Sequence, residues 1–108
     1  TLAQFTDAYD AFVVTVRERY ADAHLFLLTS PSVNDAEPPN RRSRTNVLAG
    51  IDTVVTRRHS AGDTRVYAVT PPVAVETELT GCEGHGSPEF HQRLAKDLTP
   101  IIREKTGW

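Results

Sequence analysis

The sequence predicts an α/β protein built around a parallel sheet, from three observations. Two short apolar runs, at residues 24–30 and 65–70, suit buried strands. Three longer segments carry apolar residues at a spacing of three and four, which is typical of amphipathic helices. The two kinds of segment alternate in the order α-β-α-β-α, and such alternation indicates right-handed βαβ units with parallel strands.

The first half of the chain contributes a helix, a strand and a loop to this order. Residues 2–20 are predicted to be helical, because apolar residues recur along one face: Phe5, Tyr9, Phe12, Val13, Val16 and Tyr20. The run "HLFLLTS", residues 24–30, is predicted to be a strand buried on both faces, as in a parallel sheet. Residues 31–40, with three prolines, are predicted to form a loop.

The second half contributes a helix, a strand and a last helix. Residues 41–60 are predicted to be helical, with Ala61-Gly62-Asp63 ending the helix. "RVYAVT", residues 65–70, is the second predicted strand, and two prolines stop it. After an irregular stretch over residues 73–86, Ser87 is placed as the N-cap of a helix with Pro88 at its first position. Two strands make a poor sheet, so we expect this chain to form part of a doubly wound parallel sheet.

Composition and charge exclude several classes of function. The 108 residues suit one small domain, and a formal net charge of -2 leaves no basic excess for binding nucleic acid. No apolar run approaches the roughly 18–20 residues that cross a bilayer, so no membrane partner is expected. Arg41, Arg42 and Arg44 form a basic cluster, for which a solvated helix start is favoured over a phosphate-binding patch. The four His and one Cys show no ligand spacing, so no metal or organic cofactor is expected.

The segment "GCEGHGSPEFH", residues 81–91, carries the chemistry that the sequence suggests. It follows the second strand, and open parallel sheets bind ligands outside the carboxyl ends of their strands. Glu83 lies two residues before His85, where its carboxylate could accept a hydrogen bond from the imidazole. A His oriented by a carboxylate is the general-base half of a serine-hydrolase triad. The alternative is a solvated loop His, because acid-x-His pairs are frequent by chance.

The longer segment "GCEGHGSPEFHQRLAKDL", residues 81–98, resembles the final block of the SGNH, or GDSL-type, hydrolases. It is most similar to the version in carbohydrate esterase family two, which typically reads Gly-Cys-Asp-x-His-Pro-Ser. The segment "FTDAYDAFVVTVRERYADAHLFLLTSP", residues 5–31, and the final "GW" also resemble that family. The resemblance implies a flavodoxin-like fold, a hydrolase that removes acetyl groups from polysaccharide, and secretion.

Five residues of the loop are matched to the family pattern one by one. His85 matches the catalytic base, and Glu83 matches the acid that orients it, where Asp is usual. Gly86 stands where Pro is usual, which loosens the loop. His91 matches a second His that we interpret as structural. Cys82 matches the Cys of the family and is predicted to be a buried thiol rather than a nucleophile.

The serine nucleophile and the oxyanion-hole residues of the family precede the matched region. No serine of this chain lies in a Gly-x-Ser-x-Gly or Gly-Asp-Ser setting. We therefore expect residues 1–108 to be the C-terminal part of one SGNH-type domain, inactive alone. Its partners would be an acetylated carbohydrate and either the N-terminal half of the domain or a partner chain that supplies the serine. The alternative is a non-catalytic α/β interaction module or subunit.

Overall fold

Two parallel strands and three helices make up the computed structural model, which describes residues 1–36 and 38–108. In chain order they are α1 (Leu2–Arg19), β1 (Leu25–Leu28), α2 (Ser43–Ser60), β2 (Val66–Val69) and α3 (Pro88–Thr106). The predicted element order is confirmed, with strands slightly shorter than predicted. The predicted loop over residues 31–40 includes Glu37, which lies outside the described residues. In the ranges described, no helix is long and apolar enough to cross a membrane.

The strands pair in parallel, with Leu25 beside Val66 and Leu28 beside Val69. Helix α2 is the crossover between them, as a parallel pair requires. The predicted βαβ unit is therefore confirmed. Because the strands are parallel, the loops that follow β1 and β2 leave the sheet at the same edge.

Helices α1 and α2 cover one face of this small sheet, and α3 reaches the other. On one face, α1 and α2 pack on the strands and enclose the buried core: Val13, Leu27, Ile51, Val54 and Val66. Side chains alternate between the faces of a strand, so Phe26 and Tyr67 point to the opposite face. Their ring centroids are 5.1 Å apart, and the Nζ of Lys105 on α3 lies 5.7 Å from the Tyr67 ring. Helix α3 thus reaches the second face at Tyr67.

The sheet itself is only partly as predicted. Three of the four β1 residues are half-buried, so the expected burial of this strand on both faces is wrong for this chain taken alone. The physical reason is that, among the described residues, each strand has one neighbour. A doubly wound sheet needs more strands, and that part of the predicted fold stays a prediction.

Ion pairs tie α1 to α2 and to the turn before β2. Arg57 and Arg58 on α2 each lie 2.8 Å from a carboxylate oxygen of α1, of Asp7 and Asp10 respectively. At the end of α1, the Nε of Arg17 donates to Asp63 at 2.9 Å, and its Nη1 donates to the carbonyl oxygens of Tyr20, Ala21 and Ala23. Arg17 therefore fixes the end of α1 and the start of both strands.

We expect Asp63→Asn to lower the free energy of unfolding at pH 7 by about 1–2 kcal/mol, because the partly buried bond with Arg17 loses its charge. The Arg17 hydrogen bond holds the pKa of Asp63 below its ordinary value of 3.8. A carboxyl group with a depressed folded-state pKa stabilises the fold above its unfolded-state pKa, and this stabilisation is lost as the pH falls through the folded-state pKa. Urea denaturation at pH 7 and at about pH 3 should therefore show a difference between the two proteins that shrinks below about pH 4.

Asp22→Asn is the matched control for this measurement. Asp22 is almost fully exposed and lies 3.6 Å from Arg65, so its substitution should change stability by less than about 0.5 kcal/mol. An equal loss in both variants, or a loss for Asp63→Asn that does not depend on pH, would contradict the assigned role of Arg17 and Asp63.

Candidate active site

A cleft of about 420 Å³ lies beyond the carboxyl ends of β1 and β2. Ser30 and Ser32, in the loop after β1, line one side of it. His85 and its neighbours, with His91 and Phe90 from the first turn of α3, line the other side. The loop of residues 81–91 therefore lies at the predicted edge of the sheet, where open parallel sheets bind ligands.

Backbone hydrogen bonds fold the segment around His85 into a tight turn. The Gly81 amide donates to the carbonyl of His85 at 2.9 Å, and the His85 amide donates to that of Cys82 at 3.1 Å. A Cβ atom on Gly81 would stand 2.8 Å from the His85 carbonyl oxygen, closer than real Cβ contacts allow. Glycine at position 81 is thus required for the turn to close.

The imidazole of His85 is oriented by a backbone carbonyl. Its Nδ1 lies 2.6 Å from the carbonyl oxygen of Cys82. A carbonyl oxygen has no proton to give, so Nδ1 must carry the hydrogen of this bond. The neutral ring then has its lone pair on Nε2, which is the tautomer that a general base acting through Nε2 requires.

The contact predicted between Glu83 and His85 is not the one that the structure shows. The side chain of Glu83 is exposed, and its backbone has a left-handed φ of 54°, a conformation that Asp and Asn adopt more readily than Glu. The turn over residues 82–84 brings the Cys82 carbonyl to Nδ1 instead of a carboxylate. The catalytic roles assigned to His85 and Glu83 stay predictions.

The start of α3 agrees with its sequence signature. Ser87 is buried, and its Oγ accepts a hydrogen bond from the Phe90 amide at 3.2 Å, so the predicted N-cap is confirmed. Pro88 is the first residue of the helix. The cap fixes the point at which the His85 loop ends.

The Phe90 ring packs against His91 and beside Gly86. It lies edge-to-face with His91 at 5.1 Å between centroids, in agreement with the packing role predicted for His91. The Phe90 ring also fills the space beside Gly86, where a Cβ would meet Cδ1 of Phe90 at 2.2 Å.

Cys82 is exposed rather than buried as predicted, because its short turn lies on the rim of the cleft.

Sequence reasoning missed the side chain that holds the other wall of the cleft. Arg44, in the first turn of α2, donates from Nη2 to the Pro71 carbonyl at 2.7 Å and from Nη1 to the carbonyls of Ser30 and Val33. It therefore joins the loops that follow β1 and β2. The sequence indicates a basic cluster here, but the acceptors are backbone carbonyls, which leave no signal in side-chain patterns.

Asp35 also stabilises the start of α2. Its carboxylate accepts hydrogen bonds from the amide and the hydroxyl of Thr45, at 2.9 and 2.6 Å. These bonds to Thr45 lower the pKa of Asp35. Because α2 has no side-chain cap of its own at Arg42, Asp35 satisfies an amide of its first turn.

We expect Gly86→Ala to destabilise the fold by about 1–3 kcal/mol, because the new methyl group overlaps the Phe90 ring. Combining it with Phe90→Ala removes the overlap, so the loss in the double variant should be smaller than the sum of the two single losses by about 1 kcal/mol or more. Gly84→Ala is the control: nothing lies within 4 Å of its Cβ position, and its cost arises from a φ of 75° alone. Thermal unfolding of the three single variants and of the two double variants, which combine Phe90→Ala with Gly86→Ala or with Gly84→Ala, measures the coupling. Equal coupling of Phe90 to positions 84 and 86 would contradict the packing argument.

Comparison with known proteins gives three similar proteins. The cellulase/esterase CelE of Acetivibrio thermocellus is 31% identical over 105 residues, which cover 97% of this chain and 12% of CelE. A family two carbohydrate esterase from Clostridium thermocellum, solved as an active-site mutant, superposes with a TM-score of 0.86 at 29% identity. A family 2 carbohydrate esterase with a carbohydrate-binding domain, from Corynascus thermopiles (Myceliophthora fergusii), superposes with a TM-score of 0.87 at 28% identity.

The matched region is a small part of each relative. The alignments with the two solved structures cover 100% of this chain and 31% of each structure. No protein-family model matches the sequence. The SGNH assignment stays a prediction. The resemblance to carbohydrate esterase family two is confirmed, and the homologues of this chain are a cellulase/esterase and two carbohydrate esterases of that family.

Proposed function

We propose that residues 1–108 supply the general base, His85, of a serine esterase that removes acetyl groups from polysaccharide. The observation that carries this proposal is the bond between Nδ1 of His85 and the Cys82 carbonyl, which leaves Nε2 as the basic nitrogen beside a cleft. The similarity to family two carbohydrate esterases supports the substrate class. Under this proposal the chain is the C-terminal part of one hydrolase domain.

The proposed reaction passes through an acyl-enzyme. A serine from outside this chain attacks the carbonyl carbon of the acetyl ester, and Nε2 of His85 accepts its hydroxyl proton. The Cys82 carbonyl stabilises the imidazolium that forms, since it accepts a hydrogen bond from the protonated Nδ1. The imidazolium then protonates the departing sugar oxygen. In the second half, His85 takes a proton from water as the water oxygen attacks the acyl carbon. The imidazolium then returns the proton to the serine oxygen as the bond between that oxygen and the acyl carbon breaks, which releases acetate and the free serine.

The remainder of the domain would join the sheet at the outer edge of β1. A groove of about 300 Å³ lies between α1 and β1, lined by Tyr9, Phe12, Val16, Leu25 and other residues of the two elements. Apolar grooves beside an open strand edge favour association with further strands. The chain spans 31% of the length of each solved relative, which leaves ample chain in those proteins to form such strands.

A non-catalytic interaction module is the second candidate. The exposed position of Glu83, which does not share a hydrogen bond with His85 in the described residues, favours it. A phosphonate that labels active-site serines distinguishes the two. Labelling of a complex that contains this chain supports the esterase, and absence of labelling in the intact protein supports the module.

We expect His85→Gln to lower kcat for acetyl release by at least about a hundredfold in the intact protein that contains this chain, because general acid–base catalysis contributes about that much or more. The assay follows acetate released from an acetylated polysaccharide. His91→Gln, a matched change in the same cleft, should keep kcat within about threefold, since no proton transfer is assigned to it. Equal losses in the two variants would contradict the role of His85.

Glu83→Gln tests which group orients the imidazole. The geometry favours the Cys82 carbonyl, so this variant should keep kcat within about threefold. Removing the charge of an orienting carboxylate in a triad costs about 10⁴-fold. A loss of about a hundredfold or more in Glu83→Gln would therefore assign the orienting role to Glu83, as the sequence predicts.

We expect the chain alone to self-associate as its concentration rises, through the groove between α1 and β1. Phe12→Glu should weaken this association at least about tenfold, because it places a charge in the groove. Tyr20→Glu is the control: Tyr20 is 65% exposed against 61% for Phe12, but lies outside the groove. Sedimentation velocity at increasing concentration measures both, and a wild-type chain that stays monomeric would count against the open edge.

A further inference from the structure

We propose that Arg93 is a positioning residue that holds the His85 loop through Glu78. No motif or resemblance assigns a role to either side chain. The inference rests on the proposed function in one respect, namely that the position of His85 matters for proton transfer. It concerns how this chain fixes that position.

The guanidinium of Arg93 grips the carboxylate of Glu78 with two donors. Its Nε donates to Oε1, and its Nη2 donates to Oε2 at 3.0 Å, while Nη1 donates to Asp97 at 3.1 Å. The side chains of Arg93 and Glu78 are only 28% and 16% exposed. Paired, partly buried groups of this kind hold a fixed geometry better than single surface ion pairs.

Glu78 joins the two ends of the loop that contains His85. Its backbone carbonyl accepts the amide hydrogen of Ser87 at 2.8 Å, so the residues before and after the His85 turn are joined. Its carboxylate also accepts a hydrogen bond from the Val75 amide at 3.0 Å. Residues 79–86 therefore form a closed loop whose base is Glu78, and His85 lies within it.

Arg93 also reaches the far end of the loop through Phe90. Its guanidinium carbon lies 5.7 Å from the centre of the Phe90 ring, and that ring packs against Gly86, the residue after His85. The same Arg side chain thus contacts the base of the loop through Glu78 and its exit through Phe90. Neither Arg93 nor Glu78 belongs to the buried core between the sheet, α1 and α2. Their effect should therefore be local to the His85 loop.

The test measures the tautomer of His85 in the full chain by ¹⁵N NMR, together with hydrogen exchange of the Ser87 amide. In the wild type, Nδ1 of neutral His85 should carry the proton, and the Ser87 amide should be protected. In Arg93→Gln, Glu78 loses its two hydrogen bonds from the guanidinium, so the loop is held less firmly. The His85 ring should then shift towards the Nε2–H form, and the Ser87 amide should exchange at least about tenfold faster. Arg93→Lys keeps the charge without the two-pronged geometry and should restore only part of the protection.

Arg103→Gln is the matched control, because it removes the same group from an exposed position of the same helix. It should leave the tautomer and the Ser87 exchange rate unchanged, while amide protection at Val54 and Val66 reports an intact core. Should Arg93→Gln unfold the chain, Glu78→Gln, which keeps the shape of the side chain, takes its place. An unchanged tautomer and unchanged Ser87 exchange in the folded variant would overturn the proposal.

The two proposals can fail separately. The NMR readout needs no ester hydrolysis, so an active His85→Gln enzyme would overturn the general-base role without touching the result for Arg93. Conversely, an unchanged His85 tautomer and unchanged Ser87 exchange in Arg93→Gln would overturn the positioning role of Arg93. A hundredfold loss of kcat in His85→Gln would still support the proposed function.

Discussion

The parallel pairing of β1 with β2 is the constraint on which the rest of the molecule depends. Helix α2 must cross over one face of the sheet to join two parallel strands, and α1 then packs beside it. The same pairing sends the loops after both strands to one edge. Ser30 and His85, which are far apart in the sequence, therefore line one cleft. The position of the candidate site follows from strand direction before any side chain is considered.

A carbonyl and a carboxylate orient an imidazole by different physical means. A carboxylate carries a charge that stabilises the imidazolium strongly, whereas a carbonyl offers only a dipole. A carbonyl that belongs to the turn of residues 82–84, however, cannot rotate away from the ring independently of the backbone. The orientation of His85 therefore depends on the rigidity of this turn. The Gly81 hydrogen bond and the contacts of Glu78 restrict the turn, and so they also restrict the imidazole.

The sequence predicts the elements of this fold better than it predicts the contacts of the site. Element order, parallel pairing and the Ser87 cap depend on local patterns of apolar, turn and capping residues, and all three are confirmed. The partner of His85 depends on the backbone angles of Cys82 and Glu83, which no periodicity encodes. The pairing of Arg93 with Glu78 joins a helix to a loop, and single-sequence reasoning has no measure of that distance. The half-burial of β1 follows from its single strand neighbour among the described residues, and an apolar run does not reveal how many neighbours a strand has.

The core lies on one face of the two strands, and the candidate site lies beyond their carboxyl ends. Helices α1 and α2 enclose the buried core on one face and are joined by ion pairs, whereas α3 meets the other face at Tyr67, which packs against Phe26 and is only partly buried. The His85 loop lies between β2 and α3 and contributes no residue to the core, so burial in the core does not position it. It is positioned by short-range polar contacts: the Ser87 cap, the Gly81 turn and the carboxylate of Glu78. A loop held in this way can keep its geometry while the sheet gains further strands at β1, since none of these contacts lies at that edge.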